Sequence, residues 1–160
     1  MKVVSLVTIL LSSLLLAGCI GTSLRALTPY QPSAGQSFTY KFVDEQKMSA
    51  EGLEIMRERL GSQLEAAGLL AKGAAGPTRE VDIVINNYFM RHGAARAIGG
   101  ILHGIDNIFT TVVVMDAKSQ TVLSKFEVES KNPSAWATSR GLIQGHADKI
   151  VNYLKTGQSD

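Results

Sequence analysis

Few residues of this chain have side chains suited to catalysis or metal binding, and these residues are widely separated. The 160 residues include one cysteine, Cys19, and three histidines, which are His92, His103 and His146. His103 and Asp106 come closest to a metal-ligand pair, but two ligands without a third or fourth make a poor metal site. The sequence therefore predicts neither a bound metal nor a cofactor.

Motifs of covalent catalysis and of phosphate binding are missing from the sequence. Ser139, His146 and Asp148 do not form a triad by proximity, because helical positions two apart point to different sides. No Gly-x-Ser-x-Gly elbow occurs. The glycines at 99, 100 and 104 do not match a dinucleotide or phosphate loop. We expect a protein that is not an enzyme; a hydrolase whose site forms only in three dimensions is the less favoured alternative.

The first 18 residues are typical of an export signal. Lys2 supplies a positive charge, and residues 3–16 are apolar apart from four serines and threonines. This run is too short to cross a hydrocarbon core of about 30 Å, which needs roughly 20 residues. Residues 1–18 therefore predict a signal peptide.

Small residues stand directly before the cysteine, in the order Leu16, Ala17, Gly18, Cys19. This run resembles the lipobox of bacterial lipoproteins. The resemblance implies cleavage after Gly18, diacylglycerol on the Cys19 sulfur and a further acyl chain, such as palmitate, on its new amino group. Because Ile20 rather than aspartate follows, it also implies the periplasmic face of the outer membrane of a Gram-negative cell. An ordinary signal peptide followed by a chance cysteine is the alternative.

The net charge and the single cysteine limit the kinds of partner that we expect for this protein. The net charge of +2 falls to +1 when Lys2 leaves with the signal. Such a balance gives no driving force for binding a phosphate backbone, so nucleic acid is not an expected partner. With Cys19 acylated, no thiol remains for a disulfide. The predicted partners are the membrane, through the lipid, and either an envelope protein or a second copy of the chain.

The mature chain divides into three predicted parts. Pro29, Pro32 and Gly35 interrupt residues 19–36, which we predict to be a flexible tether. Residues 37–155 are predicted to form a single α/β domain, and residues 156–160 a disordered tail.

Alternating apolar and polar residues predict four strands, at residues 37–44, 80–90, 109–116 and 121–130. The last three are predicted to form an antiparallel meander, in which a short turn at residues 116–120 joins the final two strands. The side chains expected to face the core are Phe38, Tyr40, Phe42, Val81, Ile83, Ile85, Phe89, Val122, Phe126 and Val128.

Helical spacing predicts two helices. The first is capped by Ser49 and ends at Gly68, with an inward stripe of Leu53, Met56, Leu60, Leu64 and Ala67. The second opens with either Asn132 or Ser134 as its cap and has a stripe of Trp136, Ile143, Ala147, Ile150 and Leu154. Gly141 and Gly145 are predicted to let a neighbouring element approach this helix.

The predicted fold is a two-layer α+β sandwich, with both helices on one face of a mixed four-stranded sheet in the order β-α-β-β-β-α. The residues that carry a family resemblance are Leu60, Leu64, Ala67, Gly68 and Leu69, then residues 81–84, then Arg96 with the glycines at 99, 100 and 104, and then residues 112–116. Together with the closing helix they resemble an uncharacterised domain family of bacterial envelope lipoproteins. The resemblance implies no catalytic residue.

Residues 92–108 form a long connection between two predicted antiparallel strands, where two to five residues are common. One interpretation is that the strands extend and twist through this segment. The other is a surface that meets a partner subunit, an outer-membrane component or the membrane itself, formed by Arg96, Ile98, Ile101, Leu102 and Ile105.

The sequence thus predicts a lipid-anchored outer-membrane lipoprotein that acts as a non-catalytic interaction or envelope-assembly module. The alternative is an oligomeric subunit of a secretion or export assembly.

Overall fold

The computed structural model describes residues 21–73, 76–91, 104–133 and 138–159. The predicted signal peptide and Cys19 lie outside the described residues. The elements in chain order are β1 Gly21–Thr28, β2 Ser37–Val43, α1 Ala50–Ala66, β3 Thr78–Phe89, β4 Asp106–Asp116, β5 Val122–Asn132 and α2 Ser139–Thr156, with a 3₁₀ turn at Glu45–Lys47 before α1. Among these residues, no helix is long and apolar enough to cross a membrane.

The strands form one five-stranded sheet in the order β1-β5-β4-β3-β2. Strands β3, β4 and β5 pair antiparallel, which confirms the predicted meander. Strand β2 pairs parallel with β3, because α1 returns the chain to the starting end of the sheet before β3 begins. The mixed sheet is confirmed, but the prediction of four strands is wrong.

The fifth strand comes from the segment that was predicted to be a flexible tether. Strand β1 pairs antiparallel with β5, from Gly21 opposite Lys131 to Thr28 opposite Lys125. The prolines that suggested a tether follow the strand and do not interrupt it. Beyond β1, Tyr30 is buried and its backbone N–H donates to the Tyr153 hydroxyl at 3.0 Å. From Gly21 onward, the predicted tether is therefore part of the folded body.

The core lies between one face of the sheet and the two helices. Alternate residues of β3, β4 and β5 are buried, as the pleat of a strand with one covered face requires. We call the covered side the inner face and the opposite side the outer face. The predicted core residues that are buried there are Phe38, Phe42, Val81, Ile83, Ile85, Phe126 and Val128 from the sheet, and Met56, Leu60, Leu64, Ile143, Ala147, Ile150 and Leu154 from the helices.

A β-bulge in β3 reverses the predicted orientation of two aromatic residues. The pairing with β4 shifts between Ile85 and Asn87, and such a shift by one residue exchanges the faces of all later side chains. Phe89, which was expected in the core, is therefore 46% exposed. Tyr88, which was expected outside, is half-buried, and its hydroxyl lies 3.0 Å from Ser49 Oγ.

A second irregularity explains why the inward prediction for Val122 is wrong. The pairing of β4 with β5 shifts between Val114 and Met115. Val122 is 54% exposed, and Ser124 takes the inward position instead. The Ser124 hydroxyl donates to the Thr28 carbonyl at 2.7 Å, so its burial is compensated by a hydrogen bond.

The helix ends agree with the sequence in α1 but not in α2. Ser49 caps α1, accepting from Gly52 N at 3.1 Å, and Gly68 follows the helix at φ +67°. The cap of α2 is Thr138, which accepts from Gly141 N. The prediction of Asn132 is therefore wrong, and Ser134 lies outside the described residues. A Cβ on Gly145 would meet nothing within 4 Å; the prediction that it accommodates a neighbour is also wrong.

Candidate functional site

Four strand ends meet at one end of the sheet. Gly21 lies opposite Lys131, Lys131 opposite Asn107, and Asn107 opposite Phe89. We call this the anchor end, because Gly21 is two positions after the predicted lipid-bearing Cys19. Both helices also begin here, since Ser49 contacts Tyr88 and α2 follows β5.

A cleft with a volume of about 790 Å³ lies at the anchor end. The start of α1, the end of β3 and the start of α2 form its walls. Its lining mixes apolar, charged and hydroxyl side chains, among them Met48, Ser49, Glu51, Tyr88, Arg140 and Ile143. Ser49 and Tyr88, which both line the cleft, are hydrogen-bonded to each other and so link the start of α1 to β3.

Beside this cleft, Arg91 and Asp106 form a buried ion pair. Their side chains are only 1% and 0% exposed. Arg91 donates to Asp106 Oδ1 from its backbone N at 2.8 Å and from Nε at 3.0 Å. Its Nη2 donates to the Asn132 carbonyl at 2.9 Å, and the Asn132 amide donates to Asp106 Oδ2 at 3.3 Å. The pair joins the ends of β3, β4 and β5.

The predicted ligand and catalytic residues have other roles in the structure. Asp106, considered with His103 as a ligand pair, is held by Arg91, and His103 lies outside the described residues. Asp148 accepts two hydrogen bonds from Arg59 of α1, at 2.7 and 2.8 Å, while His146 is directed into the core. The expectation that His146 and Asp148 point to different sides is confirmed. The described residues contain no group of three or more His, Cys, Asp or Glu that could hold a metal.

His146 is the centre of a buried polar chain. Its Nε2 lies 2.9 Å from Thr110 Oγ1 and its Nδ1 lies 2.8 Å from Ser130 Oγ. Ser130 Oγ in turn lies 2.9 Å from Thr22 Oγ1 of β1. Burial lowers the pKa of His146 from 6.5 to about 3, since a charged imidazole is poorly stabilised away from water. The ring is therefore neutral at physiological pH and ties α2 to β4, β5 and β1.

Of the predicted interaction surface, only Ile105 belongs to the described residues, and it is 40% exposed. Arg96, Ile98, Ile101 and Leu102 lie outside the described residues, as do Leu16, Ala17 and Gly18 of the predicted cleavage site. Strand β4 begins at Asp106, so the last part of the long connection is strand, in agreement with the first of its two interpretations.

Sequence reasoning missed Phe89 as a surface residue and the two buried polar clusters. A usable signal existed for the clusters, because Thr110, Ser130 and Asn132 fall on inward-facing positions of their strands. Polar residues at such positions need buried partners. No corresponding signal marks the bulge that exposes Phe89.

The fold is a mixed α+β architecture with an open five-stranded sheet and two helices. Residues 31–137 match the family described as Domain of unknown function (DUF4410), and the chain belongs to this family. Its membership of an uncharacterised family agrees with the resemblance found in the sequence. Lipid attachment at Cys19 stays a prediction. No curated protein matches the sequence.

Two solved structures share this fold at 10% sequence identity. Both are PelC dodecamers from Paraburkholderia phytofirmans, one of them a single-substitution variant, with TM-scores of 0.55 for the variant and 0.53; each likeness covers 86% of this chain and 100% of PelC. A crystal structure from Caulobacter crescentus CB15, provisionally classed as a lipoprotein, has a TM-score of 0.40 at 16% identity over 72% of this chain and 86% of its own. That last likeness is too weak to support an argument.

Proposed function

We propose that this protein is a lipoprotein of the periplasmic face of the outer membrane, anchored through Cys19, and that its domain is a non-catalytic envelope-assembly module. The observation that carries the proposal is the start of β1 at Gly21. Only Ile20 separates this strand from the cysteine of the lipobox-like run. The domain would therefore work directly at the membrane surface.

The short connection has a mechanical consequence. Two residue steps span at most about 7 Å, so Gly21 stays within that distance of the lipidated residue. Two or more acyl chains give stable attachment, whereas one chain binds reversibly. Since β1 is paired with β5 along its length, a pull on the anchor would be transmitted to the sheet and would not be absorbed by a loose linker.

Replacing the cysteine tests the anchor. We expect Cys19→Ser to move the protein from the membrane pellet to the soluble fraction or to leave the signal uncut, because serine cannot accept the thioether-linked diacylglycerol. Fractionation with mass measurement of the purified protein distinguishes these two results. Ser23→Cys in the Cys19→Ser background, which returns a thiol outside the lipobox-like run, should not restore attachment. A Cys19→Ser protein that is processed normally and retained in the membrane would refute the proposal.

Self-assembly is a second candidate function, favoured by the outer face of the sheet. Val84, Phe109 and Val113 are only half-buried on this face, while the helices cover the inner one. Charges of both signs surround them, with Lys41, Glu80 and Asp82 on one side and Arg25, Lys125, Glu127 and Glu129 on the other. A second copy could cover the apolar centre, around which Arg25 is already paired with Glu127 and Lys41 with Glu80 and Asp82. The dodecameric state of PelC, which has the same fold, supports this candidate.

The mass of the lipidated protein in mild detergent tests self-assembly. We expect an oligomer that Val113→Lys converts to monomers, because the substitution puts a charge beside Lys125 in the proposed contact. Ala66→Lys, which adds the same charge at an exposed position of α1, is the matched control and should leave the oligomer intact. A monomeric wild-type protein would rule out this second candidate.

A further inference from the structure

We infer that the anchor end of the sheet docks onto the lipid surface, with Phe89 and Ile105 in the interface between headgroups and acyl chains. The inference rests on the lipid attachment proposed above and goes beyond it, because a lipid on Cys19 alone would allow the domain to point in any direction. The docking surface is defined here by Phe89, Gly104 and Ile105.

Phe89 and Ile105 are exposed apolar residues beside Gly104. In the described residues four large apolar side chains are notably exposed: Phe89 at 46%, Ile105 at 40%, Leu27 at 43% and Val122 at 54%. The Phe89 ring lies against Gly104, with Cε1 3.1 Å from the position that a Cβ on Gly104 would occupy. Because Ile105 follows Gly104 directly, the ring and the isoleucine are neighbours. Leu27 and Val122 lie at the opposite end of the sheet.

The docking surface is at the level of the anchor. Gly21 and Phe89 are joined across the sheet through Lys131 and Asn107. Three strand spacings of about 4.8 Å separate them sideways, whereas neither is displaced far along the strand direction. The connection from Cys19 holds Gly21 within about 7 Å of the lipidated residue. An exposed aromatic ring held at this level can reach the interfacial zone, where apolar side chains gain from burial.

The electrostatics of the anchor end suit lipid phosphates. Both helices begin there, and helix amino termini carry partial positive charge. Arg140 is exposed beside the start of α2. Four acidic groups nearby have cationic partners: Asp44 is paired with Lys47, Glu45 with Arg57, Glu129 with Lys131 and Asp106 with Arg91. Glu51 and Glu54 are exposed carboxylates in the first turns of α1. The features of this end that suit a lipid surface are therefore its exposed apolar residues, the two helix amino termini and Arg140.

A thiol-reactive fluorophore can measure the contact. Since Cys19 is the only native cysteine and its sulfur would be acylated, Phe89→Cys and Ile105→Cys each introduce one reactive thiol. The variants are purified with their lipid, labelled with an environment-sensitive dye and reconstituted in phosphatidylethanolamine–phosphatidylglycerol vesicles containing brominated acyl chains. Leu27→Cys and Val122→Cys are matched controls, because these residues have similar exposure but lie at the far end of the sheet.

We expect the dye at positions 89 and 105 to be quenched at least twofold more strongly by brominated lipid than the dye at positions 27 and 122, with emission shifted to shorter wavelength. Equal quenching at both ends, in protein that is lipidated and bound to vesicles, would overturn the docking surface and leave the anchor standing. Protein that carries no lipid and does not bind the vesicles would overturn the anchor and the docking surface together. Mass measurement of each variant separates these two failures.

Discussion

Asp106→Ala is expected to lower the free energy of unfolding by about 3–5 kcal/mol, because it removes one partner of a fully buried ion pair. Arg91 would lose the carboxylate that now accepts from its backbone N and from its guanidinium Nε. The Asn132 amide would lose its bond to Asp106 Oδ2 in the same step. Urea unfolding of the detergent-solubilised protein, followed by circular dichroism, measures the change as a fall in the midpoint.

Asp148→Ala is the matched control for this prediction. It also removes an aspartate paired with an arginine, but Asp148 and Arg59 are 39% and 36% exposed, and exposed pairs contribute about 0–1 kcal/mol. The double variant Arg91→Met with Asp106→Leu should recover much of the stability lost in Asp106→Ala, since apolar replacement of a whole buried pair is often neutral. Equal losses for Asp106→Ala and Asp148→Ala would contradict the assignment of Asp106 as the carboxylate that joins three strand ends.

The core of this fold was predictable where large apolar residues follow a regular period. Val81, Ile83 and Ile85 alternate without interruption, and the α2 stripe from Ile143 to Leu154 follows the helical repeat. In these elements one face has to be covered whatever the neighbouring element is. The period alone was therefore enough to identify the buried side chains.

The predictions failed where local signals were weak or where tertiary contacts decided the outcome. Strand β1 alternates Thr22, Leu24 and Ala26 on its inward side, but only Leu24 is a large apolar residue, so the alternation is a weak signal beside the prolines that follow. The bulge in β3 leaves no mark in the residue types, yet it decides that Phe89 faces outward. Asn132 has the chemistry of a helix cap, but its amide is used by the buried carboxylate of Asp106.

The candidate site was harder to predict than the fold, because its parts come from distant positions. Phe89, Ile105 and Gly21 meet at the anchor end only through strand pairing. The sequence offered Ile105 as an interaction residue and Cys19 as the lipid attachment point, but it predicted a tether between that lipid and the domain. Because β1 is paired within the sheet, little chain separates the predicted lipid from the domain. The structure can therefore be used to predict how the domain is oriented at a membrane.

Stability is expected to fall as the pH is lowered from 6.5 towards 3, because His146 takes up a proton in the unfolded chain but not in the folded one. An unfolded histidine titrates near 6.5, whereas burial lowers the folded-state pKa of His146 to about 3. Between these values the unfolded state binds more protons, so the free energy of unfolding should decline by up to about 1.4 kcal/mol for each pH unit. Above pH 6.5 this contribution is fully present and constant.

Protonation of His146 in the folded protein is unfavourable because of its hydrogen bonds as well as its burial. A neutral imidazole can accept from one hydroxyl and donate to the other, which suits Thr110 and Ser130. An imidazolium donates from both nitrogens, so both hydroxyls must accept, and the hydroxyl that donated to the neutral ring loses its acceptor there. Protonation would thus disturb the link between α2 and three strands.

His146→Gln separates this effect from other titrations. Glutamine is polar but does not titrate, and the variant keeps His92 and His103, so the difference in slope between the two proteins belongs to His146. The comparison is made by urea unfolding between pH 6.5 and 5. Below that window Glu80, Asp116 and Glu129, whose pKa values are lowered by hydrogen bonds and nearby cations, lose their stabilising effect on protonation and add to the decline. We expect a steep slope for the wild type and a shallow one for His146→Gln; parallel slopes would show that the buried imidazole does not govern the acid stability of this fold.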